Sequence, residues 1–355
     1  MKKKYLALTI LLIISIGLTI FTYFNDFLYH KTIMKITDIK TISTETLTNS
    51  LNFEEKHYYQ EITGKITNGK NKGKTLTIEY EKTYSSIVTE KYQKGDKVFI
   101  KDNSIDNLKR DFYLVILIDI FILSLFLVAG HKSLLIITSL IFNIFVFLLG
   151  LKLYDKNISL FLICFICSII FIISSLLLSS GKNKKTLSAI ISTIVSIIIL
   201  ILITSIITKI TNYDGINLNN FEFLTVPIND IFLTELLISG LGAIMDVAIT
   251  ITSPLKEIID KNPKIKKKDL KKSGLNIGKD IMGTMVNVLF FTYLCSGLPL
   301  FVLALRNGFT LSNYINTYFS LEITRFLVGS IGLILTIPIT IYITTKIFKR
   351  GDINE

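Results

Sequence analysis

The chain has 355 residues, 50% of them hydrophobic, and a formal net charge of +12. This composition is too apolar for a soluble protein of this size. The positive charge does not indicate a nucleic-acid partner either, because the lysines cluster in alternate loops between apolar segments, a pattern typical of membrane proteins.

Eight apolar segments are long enough to cross a hydrocarbon layer of about 30 Å as helices. They cover residues 5–24, 111–130, 133–151, 157–180, 186–208, 231–252, 281–305 and 322–346. Basic residues concentrate at the N-terminus, in every second loop and in the tail, whereas the opposite loops hold few, such as Arg325 beside Glu322. The positive-inside rule therefore predicts an α-helical polytopic membrane protein with about eight transmembrane helices and both termini in the cytoplasm.

Residues 1–24 are predicted to be an N-terminal transmembrane anchor. Their basic start and apolar centre are also found in cleaved signal peptides. The apolar run is longer than the roughly 7–15 residues of a signal peptide, and the following Phe24-Asn25-Asp26-Phe27 is a poor cleavage site. We therefore favour an anchor that is retained.

Residues 25–110 differ from the rest of the chain and are predicted to form an extracytoplasmic all-β domain between helices 1 and 2. β-forming residues alternate in 58–67 and again in 75–80, and the polar, glycine-bearing segment 68–74 between them indicates a hairpin. A further short strand is predicted at 97–101. Several strands without a helical pattern are typical of a small barrel, here predicted to be OB-like.

Residues 111–348 are predicted to form a seven-helix transmembrane domain, followed by a cytoplasmic tail at 349–355. Between the sixth and seventh spans we expect a basic loop at 253–279, with a short helix starting at Ser253-Pro254. A cluster of lysines beside a span can bind anionic lipid headgroups, so these are candidate partners besides the bilayer itself. The alternative, that the lysines only fix the orientation, is the one we favour.

The sixth span contains an acid, Asp246, within an apolar segment. A carboxylate at membrane depth costs roughly 2.5–3.5 kcal/mol on insertion scales and normally faces protein or water. Polar and small residues recur there at steps of three or four and predict one helical stripe, the Asp246 stripe, made of Glu235, Ser239, Ala243, Asp246, Thr250 and Ser253. Small residues favour close helix packing, which we predict for Ser239, Gly240, Gly242 and Ala243.

The seventh span has a matching pattern, the Asp280 stripe, made of Asp280, Gly283, Thr284 and Asn287. Because this span returns through the membrane, Asn287 is expected at about the depth of Asp246. The sequence thus predicts a polar site between helices 6 and 7, with Gly283 as a packing position and Asp246, Thr250, Asp280, Thr284 and Asn287 as its lining. Asp280 is also expected near a helix N-terminus, where a carboxylate is favourable, so a capping role is an equal alternative.

Two long motifs, Leu241–Ala248 and Ile277–Asn287, resemble the YibE/F family of bacterial multi-pass membrane proteins. Tyr293 and Ser296–Leu300 also fit the family pattern, and the resemblance extends over about residues 61–347. In the outer domain it includes Gly64, Gly73 and Gly95-Asp96-Lys97-Val98. The resemblance implies a bacterial plasma-membrane protein, and it implies no substrate and no catalytic residues.

Three functions remain open from the sequence. The leading hypothesis is a transporter or permease-like protein whose polar pathway lies between helices 6 and 7. The second is a non-transporting scaffold or sensor that presents the β domain to a membrane or extracytoplasmic protein partner. The third, which we favour least, is an intramembrane aspartyl-type hydrolase with paired carboxylates. Because no nucleophile motif or metal-ligand cluster is found in the sequence, we expect no enzyme, no metal and no cofactor.

Overall fold

The computed structural model describes residues 2–348 apart from 49–51, 53, 87, 88, 131, 155, 157 and 211–227. The chain forms two compact units, Met1–Ser133 and Leu134–Glu355. The predicted cytoplasmic tail, 349–355, lies outside the described residues.

In this part of the chain, eight helices are long and apolar enough to cross a membrane. They are α1 Lys2–Phe24, α2 Asp111–Ala129, α3 Lys132–Tyr154, α4 Leu160–Ser180, α5 Lys184–Ile210, α6 Ile228–Lys261, α7 Lys267–Arg306 and α9 Ser320–Phe348. A short helix, α8 Leu311–Tyr314, and a π-helical turn, Ile315–Phe319, precede α9. The prediction of eight long apolar helices is confirmed.

The prediction of a loop over 253–279 is wrong, because α6 has 34 residues and α7 has 40. Pro254 lies inside α6 and does not begin a new helix. A proline within a helix removes one backbone hydrogen bond. Leu255 is fully buried one residue later, in a cluster with Leu270 of α7 and Ile341 of α9. Burial of these side chains offsets the lost hydrogen bond and continues the helix to Lys261.

The first unit contains a five-stranded antiparallel sheet, as predicted for residues 25–110. Its strands are β1 Thr32–Thr48, β2 Glu54–Ile66, β3 Thr75–Thr83, β4 Lys97–Lys101 and β5 Ser104–Leu108. The order across the sheet is β3-β2-β1-β4-β5, so β1 pairs with both β2 and β4. The predicted hairpin is confirmed, since β2 and β3 pair in register on either side of the 68–74 turn.

Apolar side chains from four strands pack into a core on one face of the sheet. Among them are the fully buried Met34, Ile62 and Val98. Gly64 allows β2 to lie close against β1. A Cβ atom at Gly64 would lie 2.6 Å from the carbonyl oxygen of Lys35 and 2.6 Å from Cγ of Met34. A larger residue would therefore push these two strands apart, so glycine is required here.

A buried lysine connects this sheet to α1 and α2 within the first unit. The Lys109 side chain is only 2% exposed, and its Nζ lies 3.5 Å from Asp26 and 3.0 Å from Asp111. It also donates hydrogen bonds to Asn25 at 2.7 Å and to the carbonyl oxygen of Thr22 at 3.1 Å. Because each donor position of the ammonium group is directed at an oxygen atom, the cost of burying the charge is offset.

Neighbouring groups strengthen this junction. Lys97 of β4 pairs with Asp26 at 2.7 Å. The hydroxyl of Tyr29 donates a hydrogen bond of 2.9 Å to Asp111. Burial raises the pKa of the Tyr29 phenol, and the adjacent Asp111 carboxylate raises it further. Asn68, buried in the 68–74 turn, accepts from the amide of Ile33 and donates to three backbone carbonyls, so it fixes the chain between α1 and β1.

The second unit is built around α9, which packs against α5, α6 and α7. The contact of α5 with α9 is partly polar: Ser188 and Thr344 share a hydrogen bond of 2.8 Å. Further along the same pair, a Cβ at Gly332 would lie 2.8 Å from Leu200. Most buried hydroxyls of these helices donate to their own helix four residues back, as Thr193 does to Ala189. This satisfies their hydrogen bonding without requiring a partner helix.

The contact of α7 with α9 predicts that alanine substitutions at two glycines of α7 change the stability of the protein in opposite directions. In Gly278→Ala the new methyl group would lie 2.3 Å from Cγ2 of Ile337, a stiff β-branched side chain. We expect a loss of about 1–3 kcal/mol in the free energy of unfolding, measured by denaturant titration in detergent micelles. The control is Gly283→Ala, where a Cβ meets no atom within 4 Å and alanine should gain about 0.5–1 kcal/mol of helix stability. Equal stabilities would contradict this packing.

The junction around Lys109 predicts a second contrast. Lys109→Met leaves Asp26 and Asp111 without their shared cation in a buried place, and we expect a loss of about 3–5 kcal/mol. Lys31→Met is the matched control, because Lys31 is 64% exposed and pairs with Asp106 on the surface, where an ion pair contributes about 0–1 kcal/mol. Amide hydrogen exchange of β1 to β5 in the full chain measures the difference. Similar protection in both variants would show that the junction does not hold the sheet.

Candidate membrane polar site

Three charged side chains from two candidate spans meet in the second unit, and we call them the charge cluster: Glu235 of α6, and Glu322 and Arg325 of α9. The Arg325 guanidinium contacts the carboxylate of Glu235 and donates a hydrogen bond of 2.8 Å to Glu322. The side chains of Arg325 and Glu322 are only 14% and 15% exposed. Two acids share one base, so the cluster has one more acid than base.

Two polar atoms of the charge cluster remain unsatisfied. Nε of Arg325 and Oε2 of Glu322 are buried and have no hydrogen-bond partner within the described residues. Such groups are rare because an unpaired buried polar atom costs free energy comparable to a lost hydrogen bond. One donor and one acceptor of the cluster are therefore without a partner in the described part of the chain.

Tyr293 of α7 extends the polar region toward the middle of α6. Its side chain is 8% exposed, and its hydroxyl interacts with Ser239 and is within electrostatic range of Arg325 and Glu322. Ser239 belongs to the Asp246 stripe and is half-buried, with its own hydroxyl donating to the carbonyl of Leu236 at 3.3 Å. Ser239 thus links Tyr293, beside the charge cluster, to the Asp246 stripe.

The Asp246 stripe lies on the open side of α6. The opposite side is occupied by apolar residues, among them the fully buried Ile244, Val247 and Ile251. Because these residues take the inner face, Asp246 is exposed and Thr250 is half-buried. Asp246 has no hydrogen-bond or ion-pair partner in the described part of the chain. Its predicted place in the interior of the bundle is therefore not what the structure shows.

The Asp280 stripe lies on the outer face of α7, where Asp280, Thr284 and Asn287 are all exposed. The hydroxyl of Thr284 donates to the carbonyl of Ile281 at 3.1 Å, and the other two side chains have no polar partner among the described residues. The expected position of Asp280 near a helix N-terminus is wrong, because α7 begins at Lys267. The helix dipole therefore does not account for this acid.

The structure does not bring the two stripes into contact. Within the described chain, no hydrogen bond joins Asp246 to Asp280 or to Asn287, although α6 and α7 are packed neighbours. The shared surface of α6 and α7 is apolar, with Val247 of α6 and Leu289 of α7 in one cluster. The predicted lining residues thus lie beside this contact, on open faces of the two helices.

Of the residues predicted to pack against other helices, some do so and others do not. Ala243 packs against the apolar cluster of α7 and α9, and a Cβ at Gly240 would lie 3.4 Å from Leu200 of α5. For Gly242 and Gly283, a Cβ would meet no described atom within 4 Å. No described side chain covers these two glycines. They lie on the same open faces as the exposed acids Asp246 and Asp280.

Other polar groups of the apolar helices are paired with each other. Asp119 of α2 is 8% exposed and accepts a hydrogen bond of 2.9 Å from Thr19 of α1. Asn143 of α3 donates to Ser175 of α4 at 2.8 Å and accepts from Ser174 at 2.6 Å. These groups join neighbouring helices, which distinguishes them from the unpaired Asp246 and Asp280.

Sequence reasoning missed the charge cluster because Glu322 and Arg325 look like orienting charges at a membrane edge. The available signal was their spacing of three residues on one helix, together with the acid Glu235 at the matching end of the sixth span. Among the described residues, no group of three or more His, Cys, Asp or Glu side chains could hold a metal ion.

Comparison with known proteins gives two matches, which together cover most of the chain. Residues 117–350 match the family described as YibE/F-like protein, and residues 27–112 match the YibE/F family N-terminal domain. No curated protein and no solved structure matches the chain. The first match covers most of α2 and all later helices, and the second covers the β domain. The chain therefore belongs to the YibE/F family.

Proposed function

We propose that this protein is a permease-like protein of the bacterial plasma membrane, with both termini in the cytoplasm. Eight long helices support insertion, as do their exposed apolar side chains, such as Ile13, Leu117 and Ile141. The distribution of basic residues supports the orientation. The strand order, with β1 between β2 and β4, supports an OB-like barrel outside the cytoplasm.

The proposed cargo is a proton or a small cation, and one observation carries this proposal: a line of acidic and hydroxyl groups follows α6. The line begins at the charge cluster, continues through Ser239 and Tyr293, and reaches Asp246 and Thr250. From 235 to 250 it covers 15 helical steps, or roughly 22 Å, which is most of a hydrocarbon layer of about 30 Å. Its charged members favour a positive substrate.

The exposed position of Asp246 is part of this proposal. A carboxylate that touched lipid chains would cost several kcal/mol, so the open side of α6 has to face water or other protein when the chain is in a membrane. Gly242 and Gly283 leave space next to the two acids. A hydrated groove along α6 would bring a cation to Asp246 without removing it fully from water.

The test is proton flux into liposomes that contain the purified protein and an internal pH-sensitive dye, driven by a potassium diffusion potential. We expect Asp246→Asn to reduce the flux at least about tenfold, because the amide has similar size but cannot hold a proton or attract a cation. Asp260→Asn is the matched control, since Asp260 lies on the same helix but pairs with Lys256 at its exposed end. This variant should retain the flux of the unaltered protein.

Equal flux in Asp246→Asn and in the unaltered protein, at equal protein content, would exclude Asp246 from the pathway. Absence of proton flux and of sodium and potassium flux in the unaltered protein would exclude the transport proposal as a whole.

A second function is a non-transporting scaffold or sensor. In this function the open faces of α6 and α7 would bind another protein. Two acids without a partner and two glycines without a neighbouring atom, as far as the chain is described, form on α6 and α7 the kind of surface that transmembrane helices use for close association. The buried junction at Lys109 would attach the outer β domain firmly to α1 and α2. Such a protein would present the β domain to a partner.

This second function predicts a loss of assembly. We expect the double variant Asp246→Asn and Gly242→Leu to reduce cross-linked complexes in membranes several-fold, because the contact surface becomes less polar and more bulky. The matched control is Asp260→Asn with Gly17→Leu, since a Cβ at Gly17 of α1 also meets no described atom within 4 Å. Unchanged cross-linking in the first variant would contradict the scaffold function.

A further inference from the structure

We propose that the groove between α5 and α9 is a binding site for one anionic phospholipid. The groove has a volume of about 610 Å³, within the usual range of roughly 300–1,000 Å³ for ligand sites. Its walls are almost entirely apolar, with Lys346 at one end. The lining residues are Ile191, Val195, Pro338, Ile339, Tyr342, Ile343, Lys346 and Ile347.

The charge at that end of the groove identifies the occupant. Lys346 lies 5.9 Å from the ring centre of Tyr342, and Lys271 of α7 lies 6.0 Å from the same ring. Both lysines are exposed, and neither forms an ion pair with a described acidic residue. Two ammonium groups beside one phenol, next to an apolar groove, match a phosphate headgroup with its acyl chain attached.

Two other lysines of the same region have acidic partners. Lys256 pairs with Asp260, and Lys261 pairs with Glu257 at 2.7 Å, each within one turn of α6. Lys271 and Lys346 have no such partner among the described residues, and both lie at the Tyr342 ring beside the groove. This distinction separates a defined site from a general attraction of basic residues to a membrane surface.

The apolar walls exclude a free anion as the natural occupant. Val195 and Ile339 are half-buried and Pro338 is exposed, so the groove presents hydrocarbon along its length. A soluble phosphate compound would use only the lysine end and leave this surface uncovered. An acyl chain covers it, and a neutral lipid would leave the two lysines without a counter-charge.

The test is native mass spectrometry of the purified full chain in detergent, with phosphatidylglycerol and phosphatidylcholine of identical acyl chains supplied together. We expect one phosphatidylglycerol to be retained in preference to phosphatidylcholine. The double variant Lys271→Gln and Lys346→Gln should lose this preference roughly 10- to 30-fold, because each lysine near an anionic headgroup contributes about 1 kcal/mol. The control Lys264→Gln with Lys268→Gln removes the same charge from exposed positions that do not line the groove, and it should keep the preference for phosphatidylglycerol.

A third variant tests the apolar wall. Val195→Phe places a ring in the groove and should weaken retention of both lipids, while leaving the two lysines in place. An equal loss of preference in the Lys264 and Lys268 control would overturn the site in favour of general charge attraction. Two results would overturn the role of the groove. One is full displacement of the lipid by added glycerol phosphate, which has no acyl chain, and the other is unchanged lipid retention in Val195→Phe.

Discussion

The ion pairs of Arg325 with Glu235 and Glu322 are the constraint on which the polar side of the second unit depends. A guanidinium within apolar helices is tolerated only when carboxylates neutralise it, so α6 and α9 have to meet at this point. Once these helices are fixed there, their apolar faces pack together down to Leu255 and Ile341. The rotation of α6 that buries this face leaves Asp246 on the open side.

Much of the fold could be predicted from the sequence because its signals are local. Runs of apolar residues identify the eight helices, and alternation with a glycine-bearing turn identifies the hairpin of β2 and β3. The ends of α6 and α7 could not be predicted in the same way. Lysines and Pro254 indicated a loop, whereas the burial of Leu255 and Leu270 decides the length of these helices. That burial depends on α9, far away in the chain.

The candidate site was predicted only in part, for a related reason. Helical spacing predicts Asp246 on one face with Ser239 and Thr250, because spacing determines which residues share a face. It did not determine whether that face points inward, because this depends on the competition between the two sides of α6. The side with Ile244 and Ile251 is more apolar and is the one that is buried. The charge cluster was missed because its partners lie on helices distant in sequence.

Three groups of polar residues can now be separated by how their hydrogen bonds are satisfied. Thr193 and similar hydroxyls bond to their own helix, and Asp119 and Asn143 bond to a neighbouring helix. Both groups contribute to the fold and need no other explanation. Asp246 and Asp280 have neither kind of partner among the described residues, and stability alone gives no reason to keep an acid at such a place. Their solvation has to come from water, a cation or another protein surface, which is why function is best sought along the open faces of α6 and α7.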